Sequence, residues 1–142
     1  MTHFSLQDNA LTSYRKPCKA TFPVLCCDVA AGDSHVAASC WAGALYLWGE
    51  NHHGQCARDP KRSSGQLVRA PARAELQGCL RVACGRYHSA ALSDGRVFTF
   101  GDGLSGQLGR REGAQWRPTE VACFPNDLQS SVLVQARLGW SL

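Results

Sequence analysis

The sequence predicts an all-β repeat architecture, a propeller or a solenoid. Two observations carry this expectation. Residues 29–58, VAAGDSHVAASCWAGALYLWGENHHGQCAR, and residues 82–110, VACGRYHSAALSDGRVFTFGDGLSGQLGR, are two copies of one pattern. Gly32 and His35 answer Gly85 and His88 at an offset of 53. After one extra residue in the first copy, Gly43, Trp48, Gly49, Gly54 and Gln55 answer Gly95, Phe100, Gly101, Gly106 and Gln107 at an offset of 52. Fixed glycines between short apolar runs, at this period, mark supersecondary units that stack on one another. The second observation is Asp94-Gly95 between two apolar runs. It is a strong hairpin signal, because both central residues of a type I′ turn need positive φ.

The elements follow in chain order. Residues 1–23 have weak periodicity and read as a poorly ordered lead-in. Val24–Ala30 is a short apolar run, and Gly32-Asp33-Ser34 is a turn signal. His35–Cys40 and Ala44–Trp48 read as strands joined by a loop containing Gly43. In the second copy, Leu80–Cys84, Tyr87–Leu92 and Arg96–Phe100 read as strands. The small residues Ser89, Ala90 and Ala91 suit a crowded interior strand, where larger side chains would overpack. Gly49 and Gly101 end strands; Gly54, Gly106 and Gly109 sit in connections that call for left-handed or tightly packed backbone. Pro71 and Pro118 fall in the connections after each Gly-Gln pair, and suit a loop or strand start. Pro71 lies 22 residues after Gly49, whereas Pro118 lies 17 after Gly101. Ser131–Gly139 resembles the opening of a third copy, and the sequence given ends at Leu142. Repeat one therefore spans about 24–78, repeat two about 79–130, and a truncated third 131–142.

A chain of 142 residues, 44% hydrophobic and 18% charged, has the size and composition of one folded domain rather than a disordered tail. No apolar run approaches the roughly 18 residues of a membrane span, and residues 1–23 lack the apolar core of a secretory signal. The expectation is a cytoplasmic or nuclear protein that does not engage membrane. In such a reducing compartment its 8 cysteines stay thiols. They show no Cys-x-x-Cys spacing, so a zinc framework has no support. Cys26, Cys40, Cys79 and Cys84 sit among apolar residues as small hydrophobes.

The net charge of +4 is unevenly spread. Arg58, Lys61, Arg62, Arg69 and Arg73 stand against Asp59 in one segment; Arg110, Arg111 and Arg117 stand against Glu112 in another. Both segments follow the Gly-Gln pair of their repeat, so equivalent repeats would place them on one face of neighbouring units. Such a face would attract phosphate, nucleic acid or an acidic protein surface. The candidate partner-binding residues are Arg58, Lys61, Arg62, Arg69, Arg110, Arg111 and Arg117. Trp116 is the one aromatic among them, which is sparse for a single-strand binder.

No catalytic, metal or cofactor site is predicted. His35 and His88 recur at one repeat position, as a hydrogen-bonding scaffold requires and catalysis does not. His52 and His53 lack a third ligand of fixed spacing. Gly101-Asp102-Gly103-Leu104-Ser105-Gly106 spells a dinucleotide motif, but no helical pattern follows to receive a pyrophosphate. Ser105 fits a nucleophile elbow only loosely, without an accompanying base and acid.

Val82-Ala83-Cys84-Gly85-Arg86-Tyr87-His88, Asp94-Gly95, Phe100-Gly101 and Gly106-Gln107-Leu108-Gly109 together resemble the regulator of chromosome condensation repeat family. Val29-Ala30-Ala31-Gly32, His35, Trp48-Gly49-Glu50-Asn51 and Gly54-Gln55 resemble it too, with Cys56-Ala57 in place of the usual Leu-Gly. The resemblance covers roughly residues 24–142. It implies a β-propeller of four-stranded antiparallel blades, seven in the family's complete ring. Here it implies about two blades and the start of a third, a partial propeller belonging to a fragment or short isoform. It also implies a non-enzymatic protein-interaction module, in some members a guanine nucleotide exchange factor for a small GTPase. Chromatin or nucleic-acid binding through the basic loops is the alternative, and a short product without independent activity is a third.

Two blades leave outer faces uncovered and strand edges open. The isolated 142-residue chain is therefore expected to be marginally stable and to self-associate, as read by size-exclusion chromatography and a thermal melt. A sharp cooperative melt of a monomer would contradict this.

Overall fold

The structure, a computed structural model, describes residues 25–62, 66–111 and 113–122. The expected lead-in at 1–23 and the third copy at 131–142 lie outside these residues. The described chain is all β. β1 (Cys26–Ala31), β2 (His35–Cys40), β3 (Leu45–Glu50) and β4 (Leu67–Arg73) form one antiparallel sheet in that order. β5 (Cys79–Cys84), β6 (His88–Ser93), β7 (Arg96–Gly101) and β8 (Gln115–Glu120) form a second sheet of the same design. Each repeat thus makes one four-stranded blade of a partial propeller.

The local reasons are visible strand by strand. In β6, Ser89, Ala91 and Ser93 alternate inward and are buried, as the period of two requires. Ser93 pairs with Arg96, leaving Asp94 and Gly95 as a two-residue loop with φ of 47° and 75°. This is the positive-φ hairpin that the Asp-Gly signal predicts. Pro71 and Pro118 correct the sequence reading, because they lie inside β4 and β8 rather than in loops. Both strands are the outer edges of their sheets, and their pairing is interrupted between Leu47 and Gly49 and between Thr99 and Gly101. A missing N–H is tolerated at an edge or a bulge, and each proline sits where both conditions hold.

The blades meet through their first strands. β1 and β2 of the first pack on β5 of the second. One continuous apolar cluster includes Leu45 and Leu47 of β3, Cys79, Val82 and Cys84 of β5, and Phe100 of β7. Leu45, Leu47 and Phe100 are fully buried. Burial of such side chains stabilises by about 1.5–3 kcal/mol each. Polar groups fix the register of this contact. The Asp28 carboxylate accepts the Val82 N–H at 3.0 Å, and the Ser39 hydroxyl donates to the Leu80 carbonyl at 3.2 Å.

Farther out, Gly54 of the first repeat lies against Trp116 of β8. A Cβ at Gly54 would stand 2.5 Å from Trp116 Cβ and 2.6 Å from its Cα. The equivalent Gly106 has a similar φ, +79° against +83°, but faces open space. Both Gly→Ala changes carry the cost of a left-handed backbone, about 1–2 kcal/mol. Only Gly54→Ala also pushes the blades apart. Gly54→Ala is therefore expected to speed limited proteolysis of the chain clearly more than Gly106→Ala; equal rates would contradict this contact.

Candidate functional site

The Gly-Gln motif of each repeat builds the turn that leads into its basic segment. Gln55 Oε1 accepts the His53 N–H at 2.9 Å, and Gln107 Oε1 accepts the Ser105 N–H at 2.8 Å. In the first repeat, buried Asn51 adds two bonds. Its Oδ1 accepts the Cys56 N–H at 2.8 Å, and its Nδ2 donates to the Arg58 carbonyl at 2.9 Å. Arg58 thus leaves a fixed backbone with its side chain exposed. Asp59 then organises the next turn, accepting the Lys61 N–H on its carboxylate and the Arg62 N–H on its carbonyl.

These turns and strand β4 wall a cleft of about 940 Å³ at the outer rim of the blades, closed on one side by Trp116 and Arg117. Arg58, Arg62, Arg69, Arg73 and Arg117 all line it, against the acids Asp59 and Glu75. The ion pairs among the described residues, Arg86–Asp33 at 3.2 Å and Arg96–Glu120 at 3.3 Å, lie elsewhere and involve none of the five. The Arg117 guanidinium stands 4.8 Å above the Trp116 ring, a cation–π contact.

Of the residues named from sequence, Arg58, Arg62, Arg69 and Arg117 are brought together here. Lys61 and Arg111 are exposed but do not line the cleft. Arg110 turns back onto its own sheet, donating to Thr99 Oγ1 at 2.7 Å, the Thr99 carbonyl at 3.0 Å and the Thr119 carbonyl at 3.2 Å. Arg73 is the lining arginine that the candidate set omits. It stands four residues after Arg69 on a strand that Pro71 disguises as a connection.

The repeated histidine is part of the joint between blades. His35 is 2% exposed, and its Nε2 lies 2.8 Å from Ser89 Oγ of the next blade. Ser89 donates its one proton to the Gln55 carbonyl at 2.8 Å. It must therefore accept from His35, which fixes the neutral Nε2–H tautomer. Nδ1 is buried with no hydrogen-bond partner among the described residues. Burial, reinforced by nearby His88, pushes the His35 pKa down to about 4. His88 is also lowered, again chiefly by burial. Burial pushes the Cys56 and Cys79 thiols up to about 12, so neither offers a thiolate near neutral pH. Among the described residues, no group of three His, Cys, Asp or Glu could hold a metal ion, and no helix is long and apolar enough to cross a membrane.

Two profiles described as the regulator of chromosome condensation (RCC1) repeat match this chain, at residues 42–92 and 80–107. The chain carries RCC1 repeats. The matches run from β3 through β5, the Asp94-Gly95 hairpin and β7, so the RCC1-repeat feature is the blade scaffold. The crystal structure of Prp20p from Saccharomyces cerevisiae superposes with a TM-score of 0.67 at 22% identity, over 76% of this chain and 28% of that one. The likeness shows a shared propeller fold. Probable E3 ubiquitin-protein ligase HERC6 of Homo sapiens is 42% identical over 85 residues, 57% of this chain and 8% of that protein. The X-linked retinitis pigmentosa GTPase regulator homolog of Caenorhabditis elegans is 36% identical over 97 residues, 66% of this chain and 7% of that protein. This chain spans less than a tenth of either relative. RCC1 repeats of this kind form protein-interaction modules.

The His35 geometry gives the joint a pH dependence. Above the ordinary value of 6.5 the imidazole is neutral whether folded or unfolded. Between 6.5 and about 4 the unfolded chain takes up a proton that the folded chain refuses. Stability therefore falls as pH drops through this window, by at most about 3 kcal/mol from this residue. Far-UV circular dichroism is expected to report loss of β structure from pH 6.5 towards 4. His35→Gln is expected to flatten that dependence, leaving the smaller share of His88.

Proposed function

We propose that these two blades are a protein-recognition surface of a propeller that promotes nucleotide exchange on a small GTPase. The observation that carries this reading is the RCC1-repeat scaffold itself. It spends His35 and Ser89 on joining blades and leaves Arg58, Arg62, Arg69, Arg73 and Arg117 lining a cleft at the rim. The worm relative, named as a GTPase regulator homolog, supports the GTPase side, and Prp20p, described with its binding to Gsp1p and histones, supports recognition of other proteins. Exchange of this kind needs no nucleophile and no metal of the propeller's own. A surface that binds the nucleotide-free GTPase better than the nucleotide-bound form shifts the population towards release. The site of action is nuclear or cytoplasmic.

The test is release of fluorescent GDP from a panel of purified small GTPases on adding the chain. Acceleration on one member, with little effect on the others, is the expected outcome. No acceleration on any member would remove the exchange reading and leave the interaction module, the role that also suits blades carried by a ubiquitin ligase such as HERC6.

A further inference from the structure

We propose that the arginine cleft at the rim binds an acidic peptide segment of a partner protein, a reading that rests on the chain's role as a protein-interaction module. Charge is the first argument. Five guanidinium groups from three separate segments line one concavity, with two carboxylates among them and no ion pair to any described residue. Like charges around a concave wall focus a positive potential. Each guanidinium offers a planar fork of donors that matches a carboxylate. Folding alone gives no reason to gather such groups, since their mutual repulsion opposes it.

The occupant comes from outside this chain. Residues 1–24 hold Asp8 against Arg15, Lys16 and Lys19, and residues 123–142 hold Asp127 against Arg137. Neither segment could neutralise the cleft. A second copy fits no better, because no two of the chain's 11 acids lie closer than five residues in sequence.

The lining favours peptide over nucleic acid. Ala57, Leu67, Val68 and Ala72 give the cleft apolar ground between the arginines. This suits a segment in which apolar side chains are interspersed among carboxylates. A cleft of about 940 Å³ accepts a few side chains rather than the flank of a duplex. A single strand needs an open aromatic face for its bases, and Arg117 already covers the Trp116 ring.

Fluorescence anisotropy on the 142-residue chain tests this. The probe is a labelled peptide, Glu-Glu-Leu-Glu-Glu-Leu-Glu-Glu, compared with its Gln-for-Glu analogue and a ten-nucleotide oligo(dT). The Glu peptide is expected to bind. Its affinity is expected to fall about tenfold or more in the double variant Arg69→Glu/Arg73→Glu, in line with loss of two charge-assisted contacts. Arg69→Lys/Arg73→Lys, which keeps the charge but loses the forked donors, is expected to bind between the parent and the Glu double variant. Arg81→Glu, outside the cleft, is expected to retain nearly all of the binding. Equal binding of the Gln peptide, or an equal loss with Arg81→Glu, would overturn the proposal. So would oligo(dT) binding more tightly than the Glu peptide with the same loss in the double variant, which would mark a nucleic-acid site. The exchange reading is scored separately, by GDP release with the parent chain, a readout that does not depend on peptide binding.

Discussion

Among the bonds that hold the two blades in register, those of the Ser89 hydroxyl are the most deeply buried. Ser89 reaches back from the second sheet, accepts from His35 and donates to the Gln55 carbonyl. Both bonds are buried, so losing either would strand a polar group away from water, at a cost of about 1–3 kcal/mol. The chain of bonds explains several repeat positions together. Histidine must be neutral, glutamine must hold a turn that aims its carbonyl inward, and the residue after the second histidine must be small with a hydroxyl. The apolar cluster supplies most of the adhesion, but it is not directional. The hydrogen bonds determine which part of one blade meets which part of the next.

The cleft follows from the same arrangement. The blades close together at β1, β2 and β5, while the outer strands β4 and β8 carry prolines and broken pairing. Outer strands of this kind resist being extended by another strand. The rim is therefore left to side-chain recognition, and arginine, with its long stem and rigid fork, suits that task. Gly54 lets Trp116 approach closely, so it connects the joint to the wall of the cleft.

Much of the blade was legible in the sequence because its signals are local. The Asp94-Gly95 turn, the glycines and the alternation in β6 each depend on a few neighbouring residues, and the strands Cys79–Cys84, His88–Ser93 and Arg96–Gly101 lie within a residue of where the pattern puts them. The outer strands were not legible as strands, because proline speaks against one unless the edge and the bulge are already known. The fate of the arginines was hidden for a related reason. Arg58 and Arg110 are equivalent by repeat offset, yet one lines the cleft and the other braces β7 and β8. The difference lies in partners: Thr99 and Thr119 offer Arg110 a hydroxyl and two carbonyls, a tertiary arrangement that spacing does not encode.

The unequal lengths of the two rim connections, residues 51–66 between β3 and β4 against residues 102–114 between β7 and β8, have an evolutionary meaning. Lengthening a loop whose ends stay anchored costs only about 0.6 kcal/mol per doubling. The anchors here, β3 with β4 and β7 with β8, are set independently of what lies between them. Beyond the Asn51–Arg58 turn, whose Gln55 carbonyl belongs to the joint, insertions and charge changes at the rim can therefore accumulate without disturbing Ser89. Such a scaffold can diverge in partner choice while its blades stay nearly constant.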